Sequence, residues 1–183
     1  MPMQSGTRKD ELNGIIFRRA QPADAERLAE FAARSYYETF WSTNTPQNMH
    51  AYLCSAFTPP QVEAELCDSR AKFFLAETDG CLVGYAKLFS GDVPECVGGA
   101  APIELVRFYV DSGWHGSGLA AALMEECLAE AKRDGFGTMY LGVWEHNLRA
   151  QAFYRKWNFE RVGQHIFQMG EDPQTDWWMM RAL

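Results

Sequence analysis

Residues 103–120, IELVRFYVDSGWHGSGLA, constrain this chain more than any other stretch. The run from Ile103 to Val110 is rich in Ile, Leu, Val, Phe and Tyr and reads as a strand, and LAAALMEECLAEAKR from Leu119 to Arg133 reads as a helix. Leu119, Leu123, Cys127 and Ala131 recur at four-residue spacing, so the helix carries an apolar stripe suited to a sheet, with Gly135 as its stop. Between strand and helix, Gly116 and Gly118 lack a Cβ. Backbone N–H groups there can approach an anion closely, and the helix N-terminus adds its partial positive charge. A phosphorylated ligand is the expectation.

Spacing leaves more than one ligand open. GSGLAA satisfies the short dinucleotide fingerprint G-x-G-x-x-A, but that fingerprint follows its strand almost at once, whereas Asp111 to His115 intervene here. The phosphate loop G-x-x-x-x-G-K-[ST] is absent, which counts against an ATPase or GTPase. A tight turn with no ligand is the remaining reading.

The next segment narrows the choice. Residues 138–143 (TMYLGV) read as a strand, and Trp144, Glu145 and His146 lead into NLRAQAFYRKWNF at 147–159. Ala150, Phe153, Tyr154 and Trp157 fall at i, i+3, i+4, i+7, so a short helix presents Tyr154 on its apolar face. With Gly116-Ser117-Gly118 followed by Asn147, Ala150, Phe153 and Tyr154, the chain resembles the Gcn5-related N-acetyltransferase (GNAT) superfamily. Two positions depart from its pattern. Gly113 stands where the family has Arg or Gln, leaving loop amides to replace one pyrophosphate contact, and Asn158-Phe159 stands where it has Gly-Phe.

The resemblance implies an α/β fold in one domain over residues 14–183, and the polar start MPMQSGTRKDELN reads as a flexible tail at 1–13. Its sheet is mixed, mainly antiparallel, of about seven strands flanked by helices and splayed between strands 4 and 5. It also implies acetyl-CoA as co-substrate, held by Phe108, Tyr109 and Val110 on the strand and by His115, Gly116, Ser117, Gly118, Leu119 and Ala120 at the loop. Asn147, Ala150, Tyr154 and Lys156 of the next helix complete that set. Backbone groups of Phe108 and Val110 are to pair with the pantetheine, and an amide near Phe108 to support the oxyanion.

Amine acetylation makes definite demands. An alkylammonium with a pKa of roughly 10.4 has to lose a proton before it attacks, and the leaving thiolate takes one back. The resemblance makes Tyr154 the acid; a core aromatic with a satisfied hydroxyl is the other reading of that residue. Glu104 and Glu145 are candidate bases, each equally readable as a cation-binding or structural carboxylate. His115 and His146 read as a loop residue and a hydrogen-bonding residue.

The substrate is expected from the region before the hairpin, where Tyr36, Tyr37 and Trp41 are candidates to hold an alkylammonium by cation–π contact, with Glu145. NTPQNMHAYL at 44–53, IELVRFYV at 103–110, LGVWEHN at 141–147 and GEDPQTD at 170–176 resemble the bacterial spermidine/spermine N-acetyltransferase branch. A polyamine acceptor leads on that ground. Amino acids, amino sugars, protein lysines and N-termini stay open, as do a non-catalytic acyl-CoA-binding module and a nicotinamide-dependent oxidoreductase.

Composition agrees. The 183 residues are 47% hydrophobic and 14% aromatic, enough for one sizeable core, and the net charge of -7 favours a cationic small molecule over nucleic acid. No run approaches the roughly 18 apolar residues of a membrane span, so a cytoplasmic location is expected. The five cysteines, Cys54, Cys67, Cys81, Cys96 and Cys127, show no C-x-x-C spacing and read as buried free thiols, and no spacing suggests a metal site.

The remaining elements read as a strand at 15–20, helices at 21–34, 45–56 and 60–67, a hairpin of 72–77 and 82–89 about Asp79-Gly80, and last strands at 160–167 and 176–182. Trp177, Trp178 and Met179 suggest that the last strand is an edge available to a homodimer.

Overall fold

Apolar-rich runs, buried on both faces in the central strands, build seven strands in the computed structural model, which describes Leu12 and residues 14–183. The tail expected at 1–13 lies, apart from Leu12, outside the described residues. The strands are β1 (Ile16–Arg19), β2 (Ala71–Thr78), β3 (Cys81–Phe89), β4 (Pro102–Val110), β5 (Thr138–Trp144), β6 (Glu160–Met169) and β7 (Asp172–Ala182). They form one sheet in the order β1-β2-β3-β4-β5-β7-β6, antiparallel throughout except for β4 beside β5. Helices α1 (Ala25–Phe40), α2 (Pro46–Ala56) and α3 (Pro59–Cys67) precede β2, while α4 (Leu119–Arg133) and α5 (Leu148–Lys156) flank β5. This is the expected mixed, mainly antiparallel sheet.

Each face of the sheet has its own core. On one, Leu123, Met124, Cys127 and Ala131 of α4 pack on Ile103, Leu105, Met139 and Leu141, joined by Tyr154 of α5. On the other, Leu28, Ala32 and Tyr36 of α1, Met49 of α2 and Val62 of α3 pack on Phe73, Leu75 and Tyr85. Each fully buried large side chain contributes about 1.5–3 kcal/mol relative to exposure.

Two irregularities of β4 open the sheet and decide which side chains face which core. Pairing with β5 covers only Pro102↔Thr138, Ile103↔Met139 and Glu104↔Tyr140, although β4 runs on to Val110 and β5 to Trp144. Beyond Glu104 the strands part and leave a slit through the sheet. Opposite β3, adjacent Leu88 and Lys87 face Leu105 and Arg107, so Val106 is an extra residue. This bulge changes the parity of the strand. Arg107 and Tyr109 therefore share a face with Glu104, whereas Phe108 and Val110 join Ile103 and Leu105 on the α4 side.

Several expectations are corrected. The first helix, read as 21–34, starts later and ends later, at Phe40. Pro22 to Asp24 form a single tight turn whose Asp24 accepts from the Gln21 N–H and from Arg18. The aromatic run at its end, poor in helix propensity, stays helical because Tyr36 packs on Phe40, Tyr52 and Phe57. The last strand is not an edge: β7 lies between β5 and β6, with Met179 in the core and Trp178 in the cleft, so the edges are β1 and β6. All five cysteines are free, yet only Cys127 is buried; the other four sit at helix ends, a hairpin turn or a loop and are exposed.

Candidate active site

The glycine loop is built to leave amides free. Asp111 accepts from the Gly113 N–H at 3.0 Å and starts one tight turn, Ser112 to Trp114, after which Gly116 and Gly118 take φ of 87° and 96°. A side chain would be strained at either, and no atom lies within 4 Å of where a Cβ would stand. The Leu119 N–H is taken by Ser117 Oγ, and the Leu119 side chain is fully buried, so this residue serves the fold. Among the described residues the amides of Gly116, Gly118, Ala120 and Ala121 have no backbone partner at the head of the 15-residue α4.

Beside that loop the slit exposes the free side of β4. The Asp111 N–H reaches Val83 O at 2.9 Å, so alternation turns the backbone of Val110 and Phe108 away from β3, toward the slit. His115 Nε2 donates to Val110 O at 3.1 Å, while Arg149 donates to its Nδ1 at 2.9 Å, which places the ring proton on Nε2. Arg149 thus reaches the loop through His115 and lines the cleft beside it. Asn147 caps α5 by accepting the Ala150 N–H at 3.1 Å.

The slit widens into a cleft of about 480 Å³ that reaches both faces of the sheet. Tyr154 lies on the α4 side, flanked by Phe153 and Phe159, and Phe108 stacks on Phe153 at 5.6 Å. Burial pushes the Tyr154 phenol well above its ordinary value, so it keeps its proton at neutral pH. Glu104 sits at the vertex where the strands part. Burial pushes its carboxyl up, and the nearby Lys87 ammonium opposes that rise.

The opposite face of the cleft is aromatic and carries further charges. Tyr36 stacks on Tyr52 at 4.5 Å, Tyr109 stacks on Tyr85 at 5.7 Å, and Phe40 meets Trp144 edge-on at 6.1 Å. Glu65 accepts from Lys87 at 2.8 Å and from both Arg107 nitrogens at 2.7 and 3.2 Å, so the cations beneath this face are paired. On β6 and β7, His165 and Asp176 are cross-strand partners. His165 stacks on Trp178 at 4.0 Å, and burial lowers its pKa. Burial, with Glu145 nearby, raises the Asp176 carboxyl to about 6.

Most of the residues singled out from the sequence line one cleft: Tyr36, Glu104, Phe108, Tyr109, Val110, His115, Gly116, Gly118, Ala120, Asn147, Ala150 and Tyr154. Tyr109 does so from the face opposite Phe108, as adjacent strand residues do, and the bulge sets which face each of them takes. The structure does not bring the others to it. Tyr37 and Trp41 are 48% and 58% exposed on the outer side of α1 and the turn after it, Lys156 is exposed at the end of α5, and the Ser117 hydroxyl is spent within the loop. Glu145 lies at the rim, 4.0 Å from His146 and outside the lining. Arg149 and His165 line the cleft and carry no local sequence signal; Asp176 lines it too and ends the segment 170–176, which by itself gives that residue no role. The segments 44–53 and 170–176 meet there: Gln174 donates to Asn44 at 2.8 Å, and the Glu171 N–H to Asn48 at 3.4 Å.

The family model described as "Acetyltransferase (GNAT) family" matches residues 26–159. The chain belongs to the GNAT family. It is similar, at 34% identity over 160 residues, to the uncharacterized N-acetyltransferase Rv2669 of Mycobacterium tuberculosis, a match spanning 87% of this chain and 98% of that relative. An uncharacterized N-acetyltransferase in the pepI 3' region of Lactobacillus delbrueckii subsp. lactis is 26% identical over 172 residues, 94% of this chain and 99% of the relative. Among solved structures, the PaiA N-acetyltransferase of Thermoplasma acidophilum in complex with coenzyme A superposes with a TM-score of 0.72 at 20% identity, covering 92% of this chain and 99% of that one. This GNAT protein is an acetyl-CoA-dependent N-acetyltransferase. Its residues fit that co-substrate, with open space over two glycines, unpartnered amides at a helix head and an unpaired strand edge leading inward. Bound there, acetyl-CoA supplies an activated acetyl thioester.

Proposed function

We propose that the acceptor is a polyamine such as spermidine or spermine, acetylated by direct attack in a ternary complex. The observation that carries this reading is the acceptor face of the cleft, where the carboxylates of Glu104 and Asp176 lie among the rings of Tyr36, Tyr52, Trp144 and Phe167. An alkylammonium finds charge and cation–π contacts there together. Support also comes from the four segments that resemble the spermidine/spermine branch, two of which form the roof of this face.

In this reading the amides of Gly116, Gly118 and Ala120, with Arg149 in place of the absent side chain at Gly113, hold the pyrophosphate. Phe108 and Val110 offer backbone groups to the pantetheine, although the Val110 carbonyl already accepts from His115. Tyr154 keeps its proton until a thiolate develops beside it, then donates. Glu104 is an acceptor-side carboxylate whose charge Lys87 offsets.

Thiol release from acetyl-CoA, measured against spermidine, spermine, amino acids, amino sugars and a peptide with a free N-terminus, tests the reading. The polyamines are expected to show the highest kcat/KM. If they fail while another amine succeeds, the polyamine acceptor is withdrawn. Tyr154→Phe should lower kcat by about 10²–10⁴ with the calorimetric Kd for acetyl-CoA unchanged; a full rate across the pH range removes Tyr154 as the acid.

A further inference from the structure

Three carboxylates stand on or beneath the acceptor face of the cleft, and their surroundings differ. Glu65 is saturated by Lys87 and Arg107. Glu104 faces the Lys87 ammonium. Asp176, half-buried, makes no ion pair among the described residues. The groups around it are Glu145 after β5, His165 on β6, Tyr36 and Tyr52 on α1 and α2, and Glu104 and Arg107 of β4 across the slit, and that one cation, Arg107, is paired with Glu65. Burial keeps the imidazole of His165 neutral near pH 7, so this ring supplies no positive charge either.

The strand behind this carboxylate is closely packed, and its free side is the cleft that Asp176 lines. Gly142 of β5 lines the cleft, and a Cβ there would stand 3.7 Å from Asp176 Oδ2, 3.3 Å from His165 and 3.4 Å from Trp178. A side chain there would press on the rings of His165 and Trp178, so glycine lets both close against β5 beside the carboxylate. A carboxylate without a cation of its own, walled by rings and left open on one side, calls for a cation from solution.

We infer that Asp176 binds the reacting ammonium of the acceptor and takes its proton. The residue is not among the bases suggested by the sequence, and the inference rests on the reading of the acceptor as a cationic primary amine. The ammonium loses two protons in all. Asp176 accepts the first and passes it to bulk water; the second leaves as the N–C bond forms, and replaces the one that Tyr154 gives to the thiolate when the C–S bond breaks. The sum is one amide, one thiol and one released proton.

Asp176→Asn, of nearly equal shape, tests this in three measurements. Its kcat/KM for spermidine should fall at least about 100-fold. The acidic limb of the wild-type profile, expected near the Asp176 value of about 6, should disappear. The calorimetric Kd for acetyl-CoA should stay as in wild type. Because the raised carboxyl favours the protonated fold, its ionisation weakens the native state as pH rises from 3.8 through about 6, so Asp176→Asn should melt no lower than wild type at pH 8.

Wild-type kcat/KM with the limb intact in Asp176→Asn overturns the inference, as does a lower melting point, which would reveal an ion pair at Asp176. Transfer of the limb's loss to Glu104→Gln instead would overturn it in favour of Glu104. If wild type acetylates another primary amine and not spermidine, the polyamine reading falls, and the same ratio measured with that amine decides Asp176 separately.

Discussion

Asn158 shows how one residue can keep a backbone conformation while changing the letter. It leaves α5 at φ 61°, in the left-handed region that glycine favours, where the family pattern has glycine. Asparagine is among the few side chains that visit this region readily, so the departure at 158 preserves the exit of the helix onto Phe159, which is buried. Asn158→Ala should cost about 1–2 kcal/mol, and Asn158→Gly should be neutral or stabilising, as read from urea midpoints at constant m. At this scale the sequence is informative wherever a residue acts through its own backbone. Gly116, Gly118 and the Asn147 cap are legible for that reason. Asp176 is not, because what marks it is the absence of an unpaired cation among residues from five different elements.

At the scale of elements, the strand, loop and helix of residues 103–133 follow from local pattern, and so does the hairpin, whose Asp79 and Gly80 both take positive φ between β2 and β3. The bulge at Val106 has no such signal. A single inserted residue moves Arg107 and Tyr109 to the acceptor face, and nothing in IELVRFYV distinguishes it from regular alternation. The coupling of α5 to the loop is equally hidden, since Arg149 and His115 are 34 residues apart. It has a measurable consequence. Arg149→Ala removes a cation from the loop and unlocks His115, so the Kd for acetyl-CoA should rise about 5- to 30-fold, the loss of one charge-assisted bond. Wild-type affinity in that variant would show that the amides suffice. Neither result bears on spermidine as the acceptor.

Across the whole molecule, the layer of α1 to α3 is fastened to the sheet by more than apolar packing. Glu65 of α3 reaches Lys87 on β3 and Arg107 on β4, each side chain at most 15% exposed. Burial alone would raise the Glu65 carboxyl, but Arg107 and Lys87 outweigh it and hold the value below the ordinary one. Glu65→Gln leaves two buried cations unpaired and should cost about 3–5 kcal/mol in denaturant unfolding at pH 7. The gap to wild type should narrow as pH falls below 4.5, where the wild-type carboxyl begins to lose the same charge. The seam between β4 and β5 has a consequence for traffic. With only three residue pairs closing it, the cavity is a passage with a doorway on each face of the sheet. On the proposed reading amine and thioester would come in by separate doors, and each product would depart by the door its precursor used, so neither would have to wait for the other to clear the way.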